Sequence, residues 1–504
     1  MLDRLEADFR LVDQAHADSS AQLLAWQLAE NWNIGLVDWP EEAAALKRML
    51  RSEHADSRDL QEAAPHLSRT IAPVWLASPY EVARITDSLH FDTVMLVDAG
   101  ATTIAENAGA IRRGKQTVAF GDPVTQTPSP FSIAVTSEDP AEDIHLDELH
   151  ENSALARLGT LLPTLSLTRS YRAGGEDLAE LVNRRFYAGK IESVPWAGSF
   201  LGHNSIRLDY VADGSGLPDA ESGGVESVDA EVERAVELVI EHATTRPQES
   251  LMVITASAKH AVRVQRAVLS AAANHPELSE FVLSDRTEPF TVSTIEQAVA
   301  QSRDRVIFSI GYGRTPHGLV LSDFGALGRE GGERLLAVAM TRARRAMTIV
   351  TCFMPKDIDA DRMQHGAIAL ADILGDIQAR TEFEHIPDDS DPMLVDLARR
   401  LENRGLRVAL GHRNKLGLVA SHQGMCLTIE TDSVLQGTSL RESLRLRPEM
   451  LRRLGWHYLR VHAFELFTEP DAVAGRIVEM LGAAAQPVAQ PVTEPIDVIA
   501  TTTA

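Results

Sequence analysis

Two aspartates end neighbouring apolar segments of the chain. Asp98 closes the segment FDTVMLVDAG, and Asp122 closes KQTVAFGDP. Both segments read as buried strands, and the carboxyl ends of parallel strands form the edge of an α/β sheet at which ligands bind. The two carboxylates could therefore contact one ligand. The alternative for each is structural, since Asp98 could cap a helix and the residues around Asp122 could form a turn.

The elements that must position these carboxylates follow an α/β pattern. From about residue 72, short apolar strands alternate with helices such as ENAGAIRRG, which predicts a parallel sheet. A second series begins near residue 228 and includes the strands SLMVITAS and RDRVIFSIG. Residues 1–70 show helical spacing, and a third unit covers about 385–482.

Composition limits the functions that fit this chain. Its 504 residues allow about three domains. The net charge of -24 argues against a general polyanion-binding surface, so contacts with nucleic acid should be local. Cys352 and Cys426 lie far apart without metal-ligand spacing, which fits a reducing cytoplasm. No apolar run approaches the roughly 20 residues of a spanning helix, so we expect no membrane contact.

The stretch that starts at Pro73 and ends in GDPVTQTP resembles the motif II to motif III region of superfamily 1 DNA helicases. In this resemblance, Asp98 matches the Mg²⁺ ligand that ends the Walker B strand. Gly121, Asp122 and Gln126 match the GDxxQ motif, whose glutamine senses the γ-phosphate of ATP. ATP and Mg²⁺ are thus the cofactors that the resemblance implies.

Two later segments extend the resemblance. The segment LPTLSLTRSYRAGGEDLAELVNRRFYAGK looks like motif IV, with Arg172 at the phosphate-contacting arginine. Residues 331–350 look like motif VI, with Arg342 at the arginine finger that neutralises a transferring phosphoryl group. The alternative for Arg342 is an ordinary basic helix face. The resemblance covers roughly residues 5–350 and implies two lobes whose motifs meet across one cleft.

Several positions depart from the helicase pattern. The sequence contains no GxxxxGK[ST] string, the Walker A loop that holds phosphates; in family members this loop lies upstream of where the chain begins. Ala99 stands where the family has the Walker B glutamate, which polarises the attacking water. The motif V region keeps Arg303 and Asp304 but has Val299 and Ala300 in place of Gln-Gly. We therefore expect no independent ATPase activity.

Residues 427–467 resemble the nuclease-like domain appended to some of these helicases, which is related to very-short-patch repair endonucleases and the PD-(D/E)XK fold. Glu430 and Asp432 are the candidate metal ligands. They alternate along a predicted strand, so both cannot face one metal without a bend. The position of a further family aspartate falls near Gly417, and Ser433 replaces a family glycine. An inactive nuclease is expected, and an ordinary exposed Glu and Asp are an equal alternative.

The resulting prediction is an α/β protein with two RecA-like lobes of the P-loop NTPase type, built on parallel sheets, and a restriction-endonuclease-like C-terminal domain. The predicted boundaries are a helical lead-in (1–70), a partial first lobe (71–165), a second lobe (166–355), a linker helix (356–384), a nuclease-like domain (385–482) and a disordered tail (483–504).

The predicted function is helicase-related binding of single- or double-stranded DNA in the cytoplasm. One alternative is half of a split helicase that works only with an upstream polypeptide bearing Walker A. Another is a DNA endonuclease that acts through the C-terminal domain.

Overall fold

A computed structural model describes residues 2–52, 56–128, 150–170, 175–219, 223–299, 301–379, 391–432 and 439–483. Contacts divide the chain into two units. Among the described residues, the first unit contains those up to 170 together with 178–192 and those from 206 to 379. The second contains the described residues 175–177, 193–205, 391–432 and 439–483. The segment 193–205, which lies inside the predicted second lobe, therefore belongs with the C-terminal residues.

The first unit begins with helices α1 (Leu2–Asp38), α2 (Pro40–Arg51), α3 (Ser57–Ala63) and α4 (Leu67–Ile71). Asp56 caps α3 by accepting hydrogen bonds from two backbone amides of its first turn. The buried residues Leu46, Ala64 and Leu67 form a small core among these helices. Much of α1 is exposed, including Trp26.

A two-stranded parallel sheet follows, built from β1 (Phe91–Leu96), α5 (Ile104–Ile111), β2 (Gly114–Ala119) and α6 (Ala154–Gly159). A reciprocal capping box between Thr103 and Glu106 starts α5. Leu96 of β1 packs with Leu158 of α6, so the helices cover one face of this sheet.

The same unit contains a five-stranded parallel sheet in the order β3-β7-β6-β4-β5. Its strands are β3 (Ile206–Tyr210), β4 (Leu251–Thr255), β5 (Thr291–Thr294), β6 (Arg303–Ser309) and β7 (Ala343–Thr351). Every residue of β4 is buried, which is typical of a parallel strand that helices cover on both faces.

The helices of this central region are α7 (Glu176–Phe186), α8 (Ala197–Phe200), α9 (Asp229–Thr245), α10 (Ala258–Ala272), α11 (Pro276–Leu283), α12 (Gly332–Met340) and α13 (Gly366–Gln378). Residues of α9, α10 and α11 share one apolar core with the sheet. Residues of α7, α12 and α13 share another, and α8 packs within the second unit.

The second unit contains a four-stranded sheet in the order β11-β10-β9-β8, in which only β10 and β11 pair in parallel. Its elements are α14 (Pro392–Glu402), β8 (Arg407–His412), β9 (Leu416–His422), β10 (Met425–Glu430), a π-helical turn (Glu442–Leu446), α15 (Arg447–Arg453), β11 (His457–Arg460), α16 (Ala463–Thr468) and α17 (Pro470–Met480).

One face of this sheet packs against α8. Phe200 of α8 lies in one cluster with Val419 and Trp456, and all three are buried. The Trp456 indole donates a hydrogen bond of 2.7 Å to the Pro195 carbonyl. A segment from the middle of the chain thus completes the core of the C-terminal sheet.

The predicted α/β class with parallel sheets is confirmed. Within the described residues, no helix combines the length and apolar character that crossing a bilayer requires.

Candidate functional site

The edge of the two-stranded sheet brings the candidate carboxylates together. The Phe120 amide donates to the Leu96 carbonyl, and the Ala99 amide donates to the Phe120 carbonyl, each over 2.8 Å. Pairing therefore continues past both strands, so the residues that follow them lie side by side. Asp98 is exposed there, in the left-handed backbone region with φ 55°.

Gln126 connects the two candidate aspartates. Its Nε2 donates to Asp98 Oδ1 over 2.6 Å, and its Oε1 accepts from the Asp122 amide over 3.0 Å. Gly100 and Gly121 give this side chain its space, because a Cβ at either position would lie within 3.0 Å of a Gln126 side-chain atom. The four matched residues thus form one compact group with the glycine at position 100.

The Asp122 carboxylate accepts three hydrogen bonds. Two come from its own loop, from the Val124 amide (2.9 Å) and the Thr125 hydroxyl (2.6 Å). The third comes from the Tyr187 hydroxyl over 2.6 Å, one residue beyond the end of α7. Asp122 therefore organises its own turn and also ties that turn to the five-stranded sheet's helices.

Arg334, in the first turn of α12, also contacts this loop. Its Nη1 donates to the Gln126 carbonyl over 2.6 Å and to the Pro123 carbonyl over 2.9 Å. Sequence reasoning missed both Arg334 and Tyr187. The available signal was their position in the two segments that resemble motif VI and motif IV; Tyr187 ends the string NRRFY in the second of these.

Arg342 lies just beyond the other end of α12. It donates to the Val338 carbonyl over 2.9 Å and to the Gln301 carbonyl over 3.2 Å. The six helical positions from Arg334 to Met340 alone correspond to about 9 Å along the helix axis. The structure thus brings Asp98, Asp122 and Gln126 together with Arg334, while Arg172 lies outside the described residues.

Ala99, which the helicase resemblance aligns with a Walker B glutamate, is fully buried. It packs in one cluster with Leu96, Ala154 and Leu158, and its carbonyl accepts from the Leu155 amide over 2.9 Å. A glutamate here would have to enter an apolar core. The local packing is therefore adapted to a small side chain.

The described residues do not fit ATP with Mg²⁺ by themselves. Mg²⁺ in such sites is held by one or two carboxylates together with phosphate oxygens. Asp98 supplies one exposed carboxylate, but its Oδ1 is engaged by the Gln126 amide. No group of three His, Cys, Asp or Glu side chains within the described ranges could hold a metal ion. A phosphate-binding GxxxxGK[ST] loop is absent from the sequence.

The corresponding edge of the five-stranded sheet contains a buried polar network that sequence reasoning did not identify. Glu231 Oε1 accepts from the Ser309 hydroxyl and the Gly311 amide, both over 2.8 Å, and Cys352 Sγ lies 3.3 Å from Oε2. His260 Nε2 lies 2.8 Å from the Ser309 hydroxyl. Polar side chains of the protein itself therefore occupy this edge.

Burial shifts the protonation of these groups. Desolvation raises the pKa of Glu231 to about 7, although its hydrogen bonds oppose the rise. Desolvation and then the nearby Arg263 charge lower the pKa of His260 to about 3. Burial beside Glu231 also raises the pKa of the Cys352 thiol. The network thus favours a neutral imidazole and a protonated thiol.

The C-terminal candidates, Glu430 and Asp432, have separate partners. Glu430 is 3% exposed, and its Oε1 accepts from Arg447 Nε over 2.7 Å. Asp432 follows the end of β10; its Oδ1 lies 2.9 Å from His462 Nδ1, and its Oδ2 accepts from the Ala463 amide. Each carboxylate is thus engaged by protein groups, and Ser433 lies outside the described residues.

Comparison with known proteins gives one sequence relative of note. An uncharacterised ATP-dependent helicase from Mycoplasma pneumoniae is 24% identical over 274 residues, which are 51% of this chain and 23% of the relative. The chain thus spans about a quarter of that protein's length. The matched half of the present chain is helicase-like in sequence.

No model of a known protein family matches the chain. Among solved structures, the C-terminal domain of a possible DNA helicase from Lactobacillus plantarum aligns with a TM-score of 0.23 and 11% identity. This alignment covers 40% of this chain and 99% of that domain.

Proposed function

We propose that the chain is a helicase-related nucleic-acid-binding protein that does not hydrolyse ATP by itself. The observation that carries this proposal is the edge of the two-stranded sheet. There, Asp98, Asp122 and Gln126 form the group expected from the helicase motifs, whereas Ala99 is buried in the adjoining core. The sequence similarity to an ATP-dependent helicase supports the helicase-related part of this assignment.

The finer architecture is part of this proposal. The parallel order of the five-stranded sheet supports a RecA-like second lobe, and the two-stranded sheet supports a partial first lobe. The mixed sheet and helices of the second unit support a restriction-endonuclease-like α/β domain.

Nucleic acid would bind through local basic groups on an otherwise acidic chain. Residues 401–467 carry ten Lys and Arg against six Asp and Glu, a local balance of +4. Arg452 and Arg453 are exposed at the end of α15. Because arginine contacts release counterions from phosphates, binding should weaken steeply as salt rises.

Binding can be tested by fluorescence anisotropy with labelled single-stranded and duplex DNA over a series of salt concentrations. The single variants Arg452→Gln and Arg453→Gln should each lower the slope of log affinity against log salt concentration by about one. Arg362→Gln is a matched control, since that side chain is 79% exposed in the first unit. Affinity that does not change with salt would contradict the proposal.

Hydrolysis can be tested by a coupled ATPase assay on the purified chain with and without DNA. We expect no DNA-stimulated turnover. Ordinary enzymes turn over at about one per second or faster. A rate of that size would refute this part of the proposal if Asp98→Ala abolished it.

A second candidate is a split helicase that needs a Walker A polypeptide. Its support is the uncovered apolar face of the two-stranded sheet, where Met95 is 66%, Val97 73% and Phe120 49% exposed. Two strands alone make a marginal sheet in water, so a further polypeptide would stabilise this region. Co-expression with the product of the reading frame directly upstream, if it carries GxxxxGK[ST], should then produce a complex with ATPase activity.

An active nuclease is the third candidate, and the geometry does not favour it. Glu430 is buried against Arg447, and Asp432 is bound by His462. We expect no cleavage of DNA with Mg²⁺ or Mn²⁺. Cleavage that Glu430→Ala and Asp432→Ala both removed would overturn that expectation.

A further inference from the structure

The loop Gly121–Gln126 is closed by its own hydrogen bonds. The Gln126 amide donates to the Asp122 carbonyl over 3.0 Å, and the Gln126 side chain returns to the Asp122 amide. These bonds fix the shape of the loop. Its position relative to the five-stranded sheet depends on other residues.

Two side chains from distant parts of the chain supply that attachment. Tyr187 is 65 positions from Asp122, and Arg334 is 208 positions from Gln126. Tyr187 binds the carboxylate at the start of the loop, whereas Arg334 binds the carbonyl at its end. The loop is therefore held at both ends by residues of two different parts of the fold, Tyr187 just after α7 and Arg334 within α12.

The chemistry of the two contacts is specific. The phenol donates one hydrogen bond to a carboxylate, and such charge-assisted bonds are stronger than neutral ones. The guanidinium Nη1 reaches two carbonyls, those of Pro123 and Gln126. A lysine could keep the charge and a donor but not the planar geometry of arginine.

We infer that Tyr187 and Arg334 are positioning residues that hold this loop in the conformation in which the Gln126 amide covers Asp98. The inference rests on the proposed function, because it assigns these residues to the group formed by the helicase-like motifs. A ligand that draws Asp122 away must break the Tyr187 contact, and one that moves the loop off Asp98 must break the Arg334 contacts. The pair thereby controls how readily the candidate site opens.

The test is hydrogen exchange of the full-length chain, measured by mass spectrometry on peptides covering residues 114–128. Tyr187→Phe and Arg334→Met should each accelerate exchange of the loop amides about ten- to hundredfold, because each removes at least one hydrogen bond that involves a charged group. The double variant should show a larger effect than either single variant, and its departure from the product of the two measures the coupling between the contacts. Arg334→Lys should recover part of the protection, because it retains a donor for one carbonyl.

Matched controls are Tyr210→Phe and Arg329→Met, in exposed side chains of the same unit. They should leave exchange of the loop unchanged. Peptides covering β4 and β6 provide the internal reference, and their exchange should be the same in all variants.

Loop exchange that neither Tyr187→Phe nor Arg334→Met altered would overturn the inference. Equal acceleration in the loop, β4 and β6 would also overturn it, since that result would show general destabilisation. The experiment contains no DNA or nucleotide. Failure of DNA binding, measured separately by anisotropy, would therefore refute the proposed function without changing the exchange result. Unchanged exchange in the variants would refute the positioning role without changing the DNA-binding result.

Discussion

The two parallel sheets of the first unit differ in how they are covered. Every residue of β4 is buried, whereas Leu96 is the buried residue of β1. At the edge of the larger sheet, Glu231 and His260 fill the space with the protein's own polar groups. At the edge of the smaller sheet, Asp98 is exposed. A ligand can therefore reach the Asp98 carboxylate at the smaller sheet. The candidate site thus lies at the sheet that has fewer buried residues.

The largest expected effect tests the difference in burial directly. Phe308→Ala in β6 removes a fully buried ring and should cost about 3–5 kcal/mol of unfolding free energy. The matched change Met95→Ala in β1 affects a side chain that is 66% exposed and should cost less than about 0.5 kcal/mol. Urea denaturation of both variants measures these values. Similar losses would show that the two sheets are equally covered.

A second prediction concerns the pH dependence of the buried network. Folded Glu231 keeps its proton up to a pKa of about 7, whereas the ordinary value is 4.5. Its contribution therefore destabilises the fold increasingly as pH rises between these values, by up to about 3 kcal/mol. His260 acts in the opposite direction, because its pKa is lowered from 6.5 to about 3, so stability rises with pH across that interval.

Urea denaturation at a series of pH values separates the two contributions. Between pH 4.5 and about 7, the interval between the ordinary and the folded pKa of Glu231, wild-type stability should fall relative to that of Glu231→Gln. His260→Gln should instead remove the rising component at lower pH. Parallel curves of unfolding free energy against pH for wild type and Glu231→Gln would contradict the raised pKa of Glu231.

A third prediction tests the packing around the smaller sheet. Ala99→Glu introduces the glutamate that the helicase resemblance predicts at this position but forces a carboxyl group into the cluster with Leu96 and Leu158. We expect a loss of about 2 kcal/mol and no gain of ATPase activity. Thr93→Glu, on an exposed position of β1, is the matched control and should be nearly neutral. Restored hydrolysis in the Ala99 variant would refute this interpretation of the site.

The smallest expected effect lies on the uncovered face. Phe120→Lys replaces a side chain that is 49% exposed, so unfolding free energy should change by less than about 0.5 kcal/mol. Urea denaturation provides the measurement. A loss of several kcal/mol would show that another part of the chain covers this face.

The candidate site was predictable from sequence where local pattern determines position. Parallel strands with similar endings bring Asp98 and Asp122 to one edge, and the short separation between Asp122 and Gln126 keeps the glutamine nearby. Tyr187 and Arg334 could not be assigned in this way, because their contacts depend on tertiary packing across 65 and 208 positions.

Other features were hidden for different reasons. Glu231 lies in a helix whose acidic residues look like an ordinary solvated face, although its side chain is fully buried. Strand β10 ends at Glu430, so Asp432 lies beyond it and binds His462 instead of alternating on the strand as predicted. The local sequence of segment 193–205 likewise gave no sign that this segment packs against the C-terminal sheet.

The packing of that segment also has a consequence for biosynthesis. The Pro195 carbonyl and its donor Trp456 are 261 positions apart. A ribosome that adds about 5–20 residues per second needs roughly 13–52 s to cover this distance. For most of that interval, until β8 begins at Arg407, Phe200, which is buried in the finished protein, has no strand of the C-terminal sheet to pack against. The nascent chain therefore presents an apolar segment that chaperones can bind until translation is almost complete.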